Sequence, residues 1–190
     1  MVFAAASPAE APVPNTEEPH HHFQFENNLV RVWRVEVAAK EKTLLHQHDL
    51  DYCFVVLGRA EFINAVSGKD PVTVKMHDGE DHVSKGGFAH IATNLLTTPF
   101  RNITVEYKDN ANQPNLLRIP LPPNAKIDRP DSAPAALLVA LEPAPIQVTP
   151  AGQAAATLRP GDSIWIAHGT AAAIANHGKT GGHILAFEFK

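Results

Sequence analysis

Four residues recur along the chain at the same three spacings, and that recurrence narrows the possible folds more than any other feature. Gly79, Gly87, Asn94 and Glu106 are separated by 8, 7 and 12 residues, and Gly161, Gly169, Asn176 and Glu188 repeat those intervals at an offset of 82. Around them, Asp78-Gly79-Glu80 aligns with Pro160-Gly161-Asp162, and the run from Ile103 to Lys108 matches that from Ile184 to Lys190 in character. At an offset of 84, Arg34-Val35-Glu36-Val37 aligns with Arg118-Ile119-Pro120-Leu121, and Phe54-Val55-Val56-Leu57 with Leu138-Val139-Ala140-Leu141. The pattern predicts an internal duplication: two similar units that meet across Asp109 to Asn115. A chain of 190 residues has enough mass for one domain or two small ones, each with a core. Glycine kept at fixed places in both copies points to backbone angles or close approaches that a side chain would forbid.

The units read as strands. Leu29 to Val37, Thr43 to His48, Tyr52 to Leu57, Ala60 to Ile63, Val72 to Met76, His90 to Thr93 and Arg101 to Tyr107 are rich in β-branched and aromatic residues, with turn signals between them. No convincing amphipathic helix interrupts the first half, and sixteen prolines punctuate the chain. Short strands at this spacing suggest an antiparallel sandwich or barrel. Met1 to Pro19, rich in Ala, Pro and Glu, reads as a disordered lead-in. Its run Val2-Phe3-Ala4-Ala5-Ala6-Ser7 is similar to the tail of an export signal but lacks a charged start. An exported protein with its signal removed and a cytoplasmic one both fit. The three histidines His20-His21-His22 read as a solvated segment, with a flap folding toward the site as the functional alternative.

A formal charge of −4 and a pI near 6.2 argue against a basic nucleic-acid footprint. No run of eighteen apolar residues suggests a membrane span. Cys53, the single cysteine, reads as a small core residue. No phosphate loop, Ser–His–Asp order or Cys–His pair is present, which disfavours nucleotide chemistry and covalent hydrolysis.

The candidate chemistry lies in His46-Gln47-His48. Residues i and i+2 of a strand face the same way, so both imidazoles aim at one point, and His90 from another strand would complete a three-nitrogen face with open positions. Carried across the duplication, His46 falls on Pro130, His48 on Ser132 and His90 on Ala172. The second unit therefore reads as scaffold. The division expected is a lead-in over 1–22, a working unit over 23–112 and a degenerate unit over 113–190.

These motifs resemble the cupin superfamily, whose first motif is roughly His-x-His-x3–4-Glu-x6-Gly and whose second is Pro-x-Gly-x2-His-x3-Asn. Here the first runs from His46-Gln47-His48 to Gly58, and the second is Gly87-Phe88-Ala89-His90-Ile91-Ala92-Thr93-Asn94, with Lys85 in place of the proline. The resemblance covers Phe23 to Tyr107 well and Gln113 to Lys190 more loosely, as in a bicupin. It implies an all-β fold, the double-stranded β-helix or jelly-roll barrel, as two tandem units with the site in the first. The chain departs from the motif at the acidic ligand, where Asp51 stands one residue short. Three readings stay open: three histidines with Asp51 nearby, a four-residue set of His46, His48, His90 and Asp51, or no physiological metal.

The resemblance further implies one divalent ion, Fe, Zn, Mn or Ni, acting on a small organic molecule by dioxygenase, isomerase or lyase chemistry. Asp51 and Tyr52 are the candidate catalytic groups; Tyr52 shares the parity of the histidines and would face the cavity as a proton donor. The alternative is a non-catalytic binding protein with a structural or ligand-orienting metal, and a metal-free storage cupin is the third class. Cupins often pair through their sheets, so a homodimer is expected from the resemblance. Phe54 and Phe88 read as wall aromatics, Asn94 as a turn residue, Trp33 and Trp165 as packing. Arg31, Arg34, Lys85 and Arg101 read as solvated strand charges with an anion-binding alternative, and His77, His82, His168, His177 and His183 as ordinary surface or core histidines.

Overall fold

The computed structural model describes residues 11–109, 111–141 and 146–190. The export-signal reading of Val2 to Ser7 lies outside them. The first ten strands are β1 (Val13–Pro14), β2 (His21–Glu26), β3 (Val30–Val37), β4 (His46–His48), β5 (Tyr52–Val56), β6 (Ala60–Val66), β7 (Val72–Met76), β8 (Asp81–Ser84), β9 (Phe88–Asn94) and β10 (Phe100–Tyr107). They make two five-stranded sheets, ordered β1-β4-β9-β6-β7 and β2-β3-β10-β5-β8. Then follow β11 (Asn115–Leu121), β12 (Lys126–Arg129), β13 (Ala135–Ala140), β14 (Ile146–Pro150), β15 (Ala156–Leu158), β16 (Ser163–Ile166), β17 (Ala172–Asn176) and β18 (Gly182–Phe189). These give two four-stranded sheets, β11-β18-β13-β16 and β12-β17-β14-β15. Without β1 and β2, the strand orders of the two halves are the same. The only helix among the described residues is a 3-10 turn at Asn15–Glu17.

Strand parity explains the hydrophobic runs. On β3, Val30 and Val32 face one way and Trp33, Val35 and Val37 the other; on β5, Cys53 and Val55 oppose Val56. The first set joins Ile103, Val105 and Tyr107 of β10 with Leu137, Val139, Leu185 and Phe187 of β13 and β18 in one core between the two halves. The second set, with Phe62, Met76, Ala92 and Phe100, lies between the two sheets of the first half. Strands buried on both faces read as continuous apolar stretches rather than clean alternation. Inside the second half, Leu121, Leu138, Ile146, Val148, Ile166, Ile174 and Ile184 form a packed apolar core.

The recurring asparagine and the first recurring glycine have similar structural work in both halves, whereas Glu106 accepts from Asn15 and Trp33 and Glu188 pairs with Arg129. The side-chain amide of Asn94 donates to the carbonyls of Val37, Ala38 and Thr98, and that of Asn176 to those of Leu121 and Thr180. Gly79 (φ 72°) and Gly161 (φ 83°) both need the left-handed region, and each lies against the other half. A Cβ at Gly161 would stand 2.6 Å from Leu57 and 3.7 Å from Arg34; one at Gly79 would meet Arg118 at 3.3 Å and Leu141 at 3.7 Å.

The segment read as a lead-in differs from that reading over its described part. β1 pairs in parallel with β4, Val13 opposite His46, and β2 pairs antiparallel with β3, His21 opposite Val35. Asn15 is buried and donates to Glu106 Oε1 at 2.9 Å, while Trp33 Nε1 donates to Oε2 at 2.9 Å. Low hydrophobicity suggested a free segment, yet a sheet edge supplies the backbone partners that the composition does not reveal.

Candidate metal centre

β4 and β9 are antiparallel neighbours with His46 opposite His90, so His46, His48 and His90 share one face of the sheet. All three are buried, at 1%, 3% and 9% exposure. Ring centroids lie 4.5 Å apart for His46–His90, 5.0 Å for His46–His48 and 5.1 Å for His48–His90. The strand parity that suggested convergence is thus observed.

Hydrogen bonds fix which nitrogen faces the centre. His46 Nδ1 donates to the Leu44 carbonyl at 2.9 Å and His90 Nδ1 to Asn64 Oδ1 at 2.7 Å, since neither partner atom can donate. Both rings therefore carry a bare Nε2. Burial holds these imidazoles neutral: it pushes His46 down to about 4 and His90 to about 3. His48 is pushed to about 2 by burial and by the neighbouring His90, His46 and His21. His48 Nε2 lies 3.2 Å from His46 Nε2, and its Nδ1 is buried without a partner among the described residues.

A fourth histidine, absent from the sequence-based set, joins them. His21 lies on β2, its ring 5.0 Å from His46 and 6.1 Å from His48, and ligand nitrogens of His21, His46 and His48 fall within 4.8 Å of one another. Its Nδ1 donates to Glu18 Oε2 at 2.7 Å; His20 Nδ1 donates to Oε1 at 2.8 Å. Burial raises the Glu18 carboxyl, but the bonds from His21, His20 and the Leu44 amide outweigh it and hold the group near 2. A carboxylate behind an imidazole is the arrangement that fixes the tautomer of a ligating histidine. The signal was present as the run His20-His21-His22 with Glu18 three residues before His21. Without the pairing of β2 to β3, that run reads as a polar tract.

Asp51 is not brought to the histidines. Its carboxylate accepts from Lys85 Nζ at 2.7 Å, the Gly86 amide at 3.0 Å and Gln113 Nε2 at 2.8 Å, and it does not line the cavity. Those bonds, Lys85 first, hold its pKa below the usual carboxylate range. The reason is parity: Tyr52 opens β5 facing inward, so the residue before it faces the loop that precedes β9. There Gly86 approaches so closely that a Cβ would meet the Asp49 carbonyl oxygen at 2.6 Å. Tyr52 does reach the site; its ring stacks on His48 at 4.4 Å, and burial pushes its hydroxyl up to about 12.

The histidines line a cavity of about 250 Å³ between the two sheets of the first half, together with Tyr52, Phe54, Asn64, Phe88, Asn102 and Thr104. The nitrogens that lie close enough together to share one ion are those of His21, His46 and His48, within 4.8 Å of one another, and the His90 ring stands 4.5 Å from that of His46 with its Nδ1 committed to Asn64. The neutral imidazoles of His46 and His48 in a buried site suit a divalent ion that accepts nitrogen ligands.

No known sequence family matches the chain, and no curated protein does. Among solved structures, AerE from Microcystis aeruginosa is similar at 11% identity and a TM-score of 0.70, covering 94% of this chain and 98% of its own. A glycine-to-alanine variant of salicylate 1,2-dioxygenase from Pseudoaminobacter salicylatoxidans, in complex with gentisate, is similar at 13% identity and a TM-score of 0.66, covering 93% of this chain and 76% of its own. A cupin 2 conserved barrel domain protein from Leptotrichia buccalis gives 10% identity and a TM-score of 0.60, covering 90% and 88%. Identity this low speaks for the fold and not for the activity. The fold is the all-β jelly roll of the cupin barrels.

Proposed function

We propose that residues 23–112 form a cupin unit that holds one divalent ion through His46, His48 and His90, with His21 reaching in from β2 as a fourth donor. Residues 113–190 form a second cupin-like unit without ligands. The observation that carries this reading is the cluster of His21, His46 and His48 nitrogens within 4.8 Å of one another, with the His90 ring 4.5 Å from that of His46 and the Nδ1 atoms of His21, His46 and His90 committed to Glu18, Leu44 and Asn64. Matching strand orders and the filled interior of the second half support the two-unit division.

We infer that the site acts on a small organic molecule, by chemistry of dioxygenase, isomerase or lyase type. When bound, the ion supplies Lewis-acid polarisation of a carbonyl or enolate oxygen, and Fe(II) adds dioxygen chemistry. The chain's own residues orient. Glu18 and Asn64 hold two of the imidazoles in register, aromatic side chains form part of the wall, and Tyr52, whose ring stacks on His48, keeps a proton on its hydroxyl at neutral pH. The absence of Asp51 from the cavity favours a second reading, a binding protein without turnover, because Tyr52 is then the one candidate acid of the original pair that faces the site.

Elemental analysis of the purified chain tests the assignment. His46→Ala, His48→Ala and His90→Ala each lose the ion, whereas His177→Ala, an exposed position, keeps it. Metal content unchanged in the first three refutes the site. Oxygen uptake or product formation against a metabolite panel separates the enzyme from the binder.

A further inference from the structure

The character of the cavity away from the histidines carries an inference about what it takes, and it rests on the metal reading above. Val35, Phe54, Phe62, Met76, Phe88 and Phe100 supply much of the wall. At about 250 Å³ the space lies below the ~300–1,000 Å³ of sites for drug-sized ligands, so the occupant is small. Among the lining residues the one lysine or arginine is Lys75, and its ammonium lies 3.1 Å from Glu61 with the side chain 67% exposed. The cations that sequence reasoning offered for an anionic ligand point elsewhere. Arg31 pairs with Glu26, Arg34 lies 3.9 Å from Asp162, Lys85 holds Asp51, and Arg101 is exposed. Glu80 and Asp81 also contribute to the lining. A negative charge inside therefore has only the metal to balance it, and a second one would be desolvated without a partner.

Asn102 is a polar side chain placed to receive the ligand. Asn102, on β10, is 5% exposed and lines the cavity. Its Oδ1 accepts from Thr104 Oγ1 at 2.8 Å, and no described residue accepts from its Nδ2. The second half shows that the fold does not ask for a polar group there. Asn102 lies between Val35 and Val56 across the sheet, and Ile184 lies between Ile119 and Ala140. Those positions are related by the offsets 84, 84 and 82 of the duplication, and Ile184 is fully buried in the packed apolar core. An amide thus stands in the hollow barrel where its counterpart in the filled barrel is isoleucine. The Asn102 Nδ2, lining the cavity without an acceptor among the described residues, is placed to donate to an acceptor on a ligand.

We propose that this cavity takes a flat, ring-sized, mostly apolar molecule that carries one acidic oxygen and one neutral hydrogen-bond acceptor, the latter placed on Asn102, and that it rejects a second anionic group. The metal balances the single charge, the aromatic wall takes the ring, and the Asn102 amide takes the acceptor.

The test uses the full chain loaded with cobalt(II), titrated calorimetrically with four probes: benzoate, phthalate, phenol and 2-hydroxyacetophenone. Benzoate is expected to bind at least tenfold more tightly than phthalate, although phthalate is the better chelator of a free ion. In Asn102→Leu, 2-hydroxyacetophenone is expected to weaken about fivefold or more, while phenol and cobalt(II) affinity change less than twofold. Stoichiometric cobalt(II) with phthalate bound as tightly as benzoate overturns the charge limit and leaves the metal reading standing. Equal losses for phenol and 2-hydroxyacetophenone in Asn102→Leu, or none for either, overturn the role of Asn102. Failure of the chain to take up cobalt(II) overturns the metal reading and this proposal with it.

Discussion

Glu18 Oε2 lies 2.7 Å from His21 Nδ1, and through that bond a carboxylate on the N-terminal segment sets the orientation of an imidazole in the barrel. The same carboxylate accepts from the Leu44 amide at 3.2 Å, and the Leu44 carbonyl in turn accepts from His46 Nδ1. Glu18 therefore braces two of the histidines at once. Glu18→Gln is expected to weaken metal binding about 10- to 100-fold, the usual effect of losing the partner behind a ligating histidine. Competition with a chromophoric chelator measures it; an unchanged dissociation constant would show that His21 is not a ligand.

Asp51 behaves as a clasp and not as a ligand. Asp51→Ala removes the acceptor for Lys85, Gly86 and Gln113. The expected result is a loss of about 1–3 kcal/mol in urea denaturation, from the Gly86 amide and Gln113 left without their partner. Metal content stays at the wild-type value by elemental analysis, whereas a metal-free variant would return Asp51 to the ligand set.

Acid weakens the metal-free protein. His46, His48 and His90 have folded pKa values of about 4, 2 and 3, all below the ordinary 6.5. Depressed histidines stabilise the fold fully above pH 6.5, and that stability is lost as pH falls toward the folded values. Glu18, held near 2 against an ordinary 4.5, loses stability in the same direction at lower pH. His46 alone accounts for up to about 3 kcal/mol between pH 6.5 and 4. Urea midpoints of chelator-treated protein from pH 8 to 4 check this, and a flat profile contradicts it.

Bound metal links to folding by mass action. Free ion at 100 times its dissociation constant stabilises the folded chain by about 2.7 kcal/mol. The melting temperature should therefore rise with zinc or cobalt concentration in the wild type and remain level in His46→Ala. A parallel rise in both would place the ion elsewhere.

Gly161 and Gly152 separate backbone strain from contact. Both have positive φ, 83° and 74°, but a Cβ at Gly161 meets Leu57 at 2.6 Å and one at Gly152 meets nothing within 4 Å. Gly152→Ala should cost only the left-handed conformation, about 1 kcal/mol. Gly161→Ala adds overpacking between the halves of about 1–3 kcal/mol. Equal losses in chemical denaturation would argue against the close approach.

Alternation, turn glycines and the spacing of His46 and His48 are local or one-dimensional properties, and they carried the all-β fold class and the shared face of His46, His48 and His90. The i, i+2 rule acts within a single strand and holds wherever that strand is placed. The fourth histidine and the fate of Asp51 belong to another order of information. His21 reaches the site only because β2 pairs with β3 and Glu18 contacts Leu44 at a separation of 26 residues. Asp51 turns away because Lys85, Gly86 and Gln113, distant in the chain, converge on it. Side-chain direction along a strand is dictated by neighbours in sequence; which groups then meet is decided by register between strands, and register is set only when the sheets assemble.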